Sequence, residues 1–318
     1  KSIIQQMIGL KEKDKINFVS MSTYAEAVHF KSNGDGKIAL IYASGDIVDG
    51  KSQDETITSE EFTEMIRKAR LDDNVKAIVF RVNSPGGSSL ASDAIWREIT
   101  LAKETKPVVV SMGNYAASGG YYIACNADSI FADRGTVTGS IGVFSVIPNL
   151  QPFFNNKLGI TFDGVKTAPY ADMGSVSRPL SETEKKFFQS SVDSIYSTFK
   201  QRVADGREKD IVYIDSIAQG HVYTGTRGLQ LGLTDKIGGL QQAVECAARM
   251  AGVKNFYTAE YPEKKGWIDE LLNAGNISSD KKAKLIKEEV GEQPYKMLQQ
   301  LKQLENMMNK KKKKMPFE

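Results

Sequence analysis

An α/β fold with a parallel sheet is predicted by three features of this sequence. Three short apolar runs, KIALIYA from Lys37, VKAIVFRV from Val75 and PVVVSMG from Pro107, show almost no polar alternation. Strands of that kind are covered on both faces, as in parallel sheets. Between successive runs lie stretches with helical spacing of apolar residues, so the order reads β-α-β-α-β with right-handed crossovers.

The elements follow in chain order. Residues 1–35 are polar and weakly patterned, end in the turn-like Ser32-Asn33-Gly34-Asp35-Gly36, and read as a lead-in segment. After the first strand, Thr58 and Glu61 have the spacing of a capping box, and Phe62, Met65, Ile66 and Ala69 repeat on one face of the helix it opens. The second helix, about Ser89 to Lys103, carries Ala91, Ile95, Ile99 and Ala102 on one face. Ser129–Ala132 (SIFA), Ile141–Ile147 (IGVFSVI) and Ile160–Val165 (ITFDGV) are further strand candidates between glycine-rich turns. Ser181 and Glu184 form a second capping box, opening a long helix to about Val203 with Phe187, Phe188, Val192, Ile195 and Phe199 inward. Shorter helices are expected near Ile214 and Leu240. From about Tyr257 the chain turns polar and charged, and residues 280–309 read as a helix with Leu298, Leu301, Leu304 and Met308 on a stripe. The domain boundaries expected are a lead-in over 1–36, a folded domain over 37–256 and a charged helical C-terminal extension over 257–318.

Composition removes several functional classes. At 318 residues and 41% hydrophobic, the chain can bury a proper core. Its 42 basic and 39 acidic residues are too evenly balanced for a nucleic-acid surface. The run Lys310 to Lys314 reads as a solvated tail, with contact to anionic lipid as the alternative. Cys125 and Cys246 lack metal or CxxC spacing and sit among apolar neighbours, so both are expected as buried thiols. With His29 and His221 the only histidines, a His-based zinc site is not expected, and no metal or cofactor is predicted. No stretch approaches the roughly 18 apolar residues of a membrane span, so the chain is expected to be soluble by itself. It begins with Lys, so a processed or truncated product is expected.

Chemistry is expected where strand ends meet helix N-termini. The first such junction is Asn83-Ser84-Pro85-Gly86-Gly87-Ser88, whose glycines allow backbone N–H groups to turn inward as an oxyanion hole or phosphate cradle; a tight βα turn is the plainer reading. The second is Gly113 to Gly120, where Ser118 is flanked by small residues and followed by a glycine N–H. On composition alone close helix packing is the plainer explanation of such small residues, and Ala116 departs from a GxSxG elbow; the pairing of the two junctions shifts the balance toward a site. A nucleophilic serine needs a base. Neither histidine lies in a motif with an orienting acid, and a buried, neutral lysine is the other well-attested partner.

The string NYAASGGYYIACNADSIFADRGTVTGSIGVF (Asn114 to Phe144), preceded by RVNSPGGS and followed by APYADMGSVSRPLSETEK and AQGHVYTGTRGLQLGLTDKIGGL, resembles the signal peptide peptidase A (protease IV) family. The resemblance covers about residues 37–255. It implies a Clp-protease/crotonase-like spiral of β-β-α units, with Ser118 as nucleophile, Gly87 and Gly119 donating the oxyanion-hole N–H groups, and Ser140 holding the amine of a catalytic lysine. It implies a Ser/Lys peptidase that degrades cleaved signal peptides, assembles as a homo-oligomer, and is anchored in the bacterial inner membrane by an upstream helix, facing the periplasm.

The departure from the pattern is at Ala171. Short family members carry the catalytic lysine at that position, just before the GS of the segment APYADMGS, whereas long tandem members take Lys from an N-terminal half and Ser from a C-terminal half. This chain is similar to the C-terminal half. Two expectations follow: the base comes from a lysine-bearing N-terminal half, or Lys166, five positions before Ala171, substitutes. Rival readings are a non-catalytic scaffold subunit of the ring and a crotonase-like acyl-CoA enzyme.

Overall fold

The computed structural model describes Gly34, residues 36–51 and residues 56–261. Residues 1–33 of the lead-in, with His29, the 280–309 helix and the Lys310 to Lys314 run lie outside the described residues. Helices and strands are numbered below in chain order.

Strands β1 (Gly36–Ser44), β4 (Val75–Ser84) and β5 (Val108–Ala117) form the centre of a sheet with order β10-β1-β4-β5-β6-β9. Every pairing along that path is parallel. The outer members are β6 (Ser129–Ala132), β9 (Lys236–Ile237) and β10 (Phe256–Tyr261). β2 (Ile47–Val48) and β3 (Ile57–Thr58) pair separately.

The unbroken apolar runs are explained by burial on both sides. Ala39, Ile41, Ile78, Phe80, Val108 and Val110 pack with helices α1 (Ser59–Leu71) and α2 (Ser89–Lys103) on one face. Their sequence neighbours Ile38, Leu40, Ala77, Val79 and Val109 pack under α8 (Leu240–Met250) on the other. The predicted inward faces hold: Phe62, Ile66 and Ala69 of α1 and Ala91, Ile95, Ile99 and Ala102 of α2 are buried. Cys125 and Cys246 are buried free thiols. Burial pushes the Cys125 thiol up to about 12, so it stays protonated.

Four details differ from expectation. Thr58 does not cap α1 through its side chain; its hydroxyl donates to Glu61 Oε2 at 2.8 Å instead. Strand β5 continues past Gly113 to Ala117 through a register shift opposite Asn83. There Asn83 Oδ1 accepts from the Asn114 N–H at 2.9 Å, supplying the acceptor that the interrupted ladder lacks. Ile141–Ile147 and Ile160–Val165 are not strands; they belong to an irregular arm over residues 142–181, broken by the turn of α4 (Gln151–Phe153) and a π-helical turn, Phe154–Leu158. An apolar run becomes a strand only beside a neighbour that pairs with it, and here Phe144, Val146, Phe162 and Val165 are exposed instead. Phe187 is also exposed, on the outer side of α5 (Glu182–Arg207), whose capping box at Ser181 and Glu184 forms as predicted.

After α3 (Gly119–Ala124), strand β7 (Val137–Gly139) pairs with the far end of β5, while β6 pairs with its beginning. One long strand thus serves two successive ladders. β8 (Val222–Thr224) runs antiparallel to β7. Helices α6 (Ile211–Ile217) and α7 (Gly225–Gln230) complete the described elements. The mostly parallel sheet with helices on both faces is the Clp/crotonase-like fold that the resemblance implies.

Candidate active site

Ser118 is the residue on which β5 becomes α3, and its backbone is forced into an unusual shape. Its N–H donates to Gly139 O at 3.0 Å, while its carbonyl accepts from the N–H groups of Tyr121 and Tyr122, each at 2.9 Å. Held between strand β7 and the first turn of α3, Ser118 adopts φ 52° and ψ −122°. A positive φ in a residue other than glycine costs on the order of 1–3 kcal/mol and persists only where the surroundings enforce it. The GxSxG sequence is absent, but the backbone makes the same strained strand-to-helix turn that presents a serine Oγ.

The two glycine-rich junctions meet. A Cβ on Gly86 would lie 2.6 Å from the Gly119 nitrogen and 2.9 Å from Ser118 Cβ, so the Pro85-Gly86-Gly87 turn is in direct contact with the nucleophile turn. Gly87 is held by a bridge to Ile47: the Ile47 N–H donates to Gly86 O at 2.9 Å and the Ser88 N–H to Ile47 O at 2.8 Å. A Cβ on Gly87 would come within 2.1 Å of Ile47 O, at φ +150°, which only glycine satisfies. Among the described residues the Gly87 N–H has no acceptor. Gly119, the first residue of α3, also has its N–H without an acceptor among the described residues. Ser92, fully buried on the first turn of α2, donates to Ser88 O at 2.8 Å and presses close to Gly119.

These groups border one cleft of about 1130 Å³, lined by Gly87, Ser118, Gly119 and Ser140 on one side and by Phe188, Val192, Ile195, Tyr196 and Phe199 of α5 on the other. Ser140 also has positive φ, 49°, with its N–H on His221 O at 2.7 Å. His221 contributes this carbonyl; its imidazole is not among the groups lining the cleft. Of the predicted inward stripe of α5, Phe188, Val192, Ile195 and Phe199 thus face the cleft, and of these four only Phe199 is also buried in the core.

Lys166 lies elsewhere. In the arm, its Nζ pairs with Asp172 Oδ2 at 2.8 Å, and Asp172 also binds the Arg178 guanidinium. Arg178 bridges on to Glu184, buried at the start of α5. Arg178 and then Lys166 hold the Asp172 carboxyl well below the carboxylate range. Ala171 is exposed beside this knot. Among the described residues, no lysine lines the cleft, whose charged lining groups are Asp46 and Asp193. No group of three or more potential metal ligands occurs among the described residues.

Sequence reasoning located Ser118, Gly87, Gly119 and Ser140 around what proves to be one cleft. It missed Tyr122, which lines the cleft four residues after Ser118. The doubled tyrosine in GGYY was the available signal, since the second lies one helical turn from the serine.

Residues 100–254 match the model of peptidase family S49. Protease 4 of Salmonella typhi is 40% identical over 263 residues, covering 82% of this chain and 42% of that protein. Protease 4 of Haemophilus influenzae is 37% identical over 253 residues, covering 78% and 40%. The putative signal peptide peptidase SppA of Enterococcus faecium is 32% identical over 276 residues, covering 82% of this chain and 80% of that protein. The chain thus spans about two fifths of the Protease 4 relatives and most of the shorter one. The fold, the strained serine turn and these likenesses together establish that this chain belongs to peptidase family S49.

Proposed function

We propose that this chain is the serine-bearing half of a Ser/Lys endopeptidase that degrades signal peptides and other membrane-associated peptides. The observation that carries the reading is Ser118, held in a left-handed turn beside two backbone N–H groups that have no acceptor among the described residues, in a cleft with no lysine among its described lining residues. A neutral lysine from a separate N-terminal half takes the Ser118 proton, Oγ bonds to the peptide carbonyl carbon, and the carbonyl electrons move to oxygen. Gly87 and Gly119 donate to that oxyanion. Collapse breaks the C–N bond, the lysine returns its proton to the leaving amine, and water releases the acyl group by the reverse sequence.

Ser140 borders the cleft and positions the incoming amine. Lys166, the alternative base, is engaged by Asp172, and this favours a base from outside. Apolar walls on α5 suit the hydrophobic segments of signal peptides. Homo-oligomer formation, an N-terminal membrane anchor and a periplasmic location belong to the same reading; among the described residues no helix is long and apolar enough to cross a membrane. Membership of a peptidase family counts against the acyl-CoA alternative.

The test compares hydrolysis of an unstructured protein and an apolar peptide ester by this chain, by Ser118→Ala, and by the chain mixed with the lysine-bearing half of a tandem relative. Silence alone and activity on mixing, lost in Ser118→Ala, is the expected result. Activity of the chain alone would overturn the split dyad and make Lys166→Met the next variant. Silence throughout, with assembly confirmed by light scattering, would favour a scaffold.

A further inference from the structure

The wall of the cleft contains a joint that the bond-breaking groups do not use. Tyr122 lines the cleft one turn of α3 beyond Ser118, on the same helical face. Its ring stacks on Phe199 of α5, with centroids 4.7 Å apart. Its hydroxyl donates to Asp93 Oδ1 on α2 at 2.7 Å. Asp93 in turn lies 3.5 Å from Arg202 Nε on α5, and the Arg202 guanidinium sits over the Trp96 ring, 3.8 Å from its centroid, back on α2. The chain of contacts closes: α3 to α2 through Tyr122 and Asp93, α2 to α5 through Arg202, and α5 to α3 through Phe199. Trp96 takes part through its ring face, its buried Nε1 having no acceptor among the described residues.

We propose that Tyr122 is the specificity-determining floor of the pocket that receives the apolar side chain beside the scissile carbonyl, and that Asp93, braced by Arg202 on Trp96, is the positioning residue that holds the ring. This rests on Ser118 as the nucleophile. A substrate chain entering beneath Oγ meets the Tyr122 and Phe199 rings, with Ile195 and Val192 beside them. Tyr122 and Phe199, 4% and 2% exposed, close the bottom, and the half-buried Ile195 and Val192 flank it, so the pocket suits a hydrocarbon side chain. A phenol ring hinged at Cβ keeps one orientation only if its far end is fastened. Asp93 fastens it by accepting the hydroxyl proton, and Arg202 balances the Asp93 charge.

The experiment titrates methyl-, butyl- and octylboronic acid into the chain by calorimetry. The variants are Tyr122→Phe, Asp93→Leu, Asp93→Asn and the pair Tyr122→Phe with Asp93→Leu, each with Ser118 and with Ser118→Ala. Boron bonds to Oγ with release of the hydroxyl proton, so the affinity lost in Ser118→Ala reports the nucleophile. The gain with tail length, about fourfold per buried methylene, reports the pocket in both backgrounds. Tyr122→Phe and Asp93→Leu are each expected to lower the octyl-to-methyl affinity ratio by about tenfold. Asp93→Asn, which still accepts the hydroxyl proton, keeps the ratio, and the double variant is no worse than either single one. Ratios within about twofold of the unsubstituted chain in Tyr122→Phe and Asp93→Leu would overturn the proposal, as would equal weakening of all three tails. Should Ser118→Ala leave methylboronic acid binding unchanged, the nucleophile reading fails, and the tail series still decides the role of Tyr122.

Discussion

Gly87 and Gly119 share the proposed oxyanion role but face different surroundings, so alanine at each should fail differently. At Gly87 a methyl group meets the Ile47 backbone within 3 Å at three atoms. Gly87→Ala therefore breaks the bridge, and both the melting temperature and Ser118 reactivity should fall; thermal denaturation of the chain, and fluorophosphonate labelling of the chain mixed with the lysine-bearing half, read the two effects. At Gly119 the nearest atom is Ser92 Oγ at 2.7 Å, a hydroxyl that can turn aside only by giving up its bond to Ser88 O, followed by the Gly87 nitrogen at 3.1 Å. Gly119→Ala should block the Gly87 donor, with Ser118 labelling in that mixture down by about 10²–10³-fold and a smaller fall in melting temperature than Gly87→Ala gives. The two glycine-rich junctions were legible in the sequence because small residues after apolar runs report close backbone approach, whereas the roles of Ser118, Gly87 and Gly119 within them came from the family resemblance. Tyr122 and its partners were not legible, because α3, α2 with Asp93 and Trp96, and α5 with Arg202 meet at angles that no periodicity encodes.

The arm over residues 142–181 is tied to α5 by charge. Arg178 binds Asp172 and Glu184 together, and the Ser181 N–H donates to Glu184 Oε2 at 2.7 Å. Arg178, and after it the Ser181 N–H, holds the Glu184 carboxyl down at about 2, against an ordinary value of 4.5. A carboxyl depressed on folding stabilises the tie fully above its unfolded value and loses that contribution as pH falls toward the folded one. Protection of the amides of residues 166–181, taken relative to the intrinsic exchange rate at each pH, should therefore be unchanged from neutral pH to about 5 and fall steeply between about 4.5 and 2. Arg178→Ala should bring the lower protection to neutral pH while the sheet amides stay protected. The capping box at Ser181 was readable because both its members lie within one turn. The arm was not: IGVFSVI has the composition of a strand, and only the absence of a pairing neighbour makes it irregular.

Across the molecule, Phe144, Val146, Phe162 and Val165 expose apolar surface along the arm, Val165 almost completely at 99%. Exposed apolar side chains of this kind suit an interface, and the homo-oligomer proposed above would bury them. In the proposed homo-oligomer, the paired substitution Phe144→Ser and Val165→Ser should shift light scattering toward the monomer and leave thermal stability nearly unchanged. The central strands were legible across this same chain because their burial is two-sided. β10 was not, although Gly36 pairs with Phe256 and Ile41 with Tyr261. That pairing joins the first strand of the sheet to the last across more than 200 residues of intervening chain. Contacts so distant form slowly, because the loop must close before they repay its entropy. While the polypeptide is being made, β1 therefore waits with a bare edge until Tyr261 has left the ribosome. The domain is finished by its last strand, and a nascent chain stopped before Phe256 should be the form that chaperones hold.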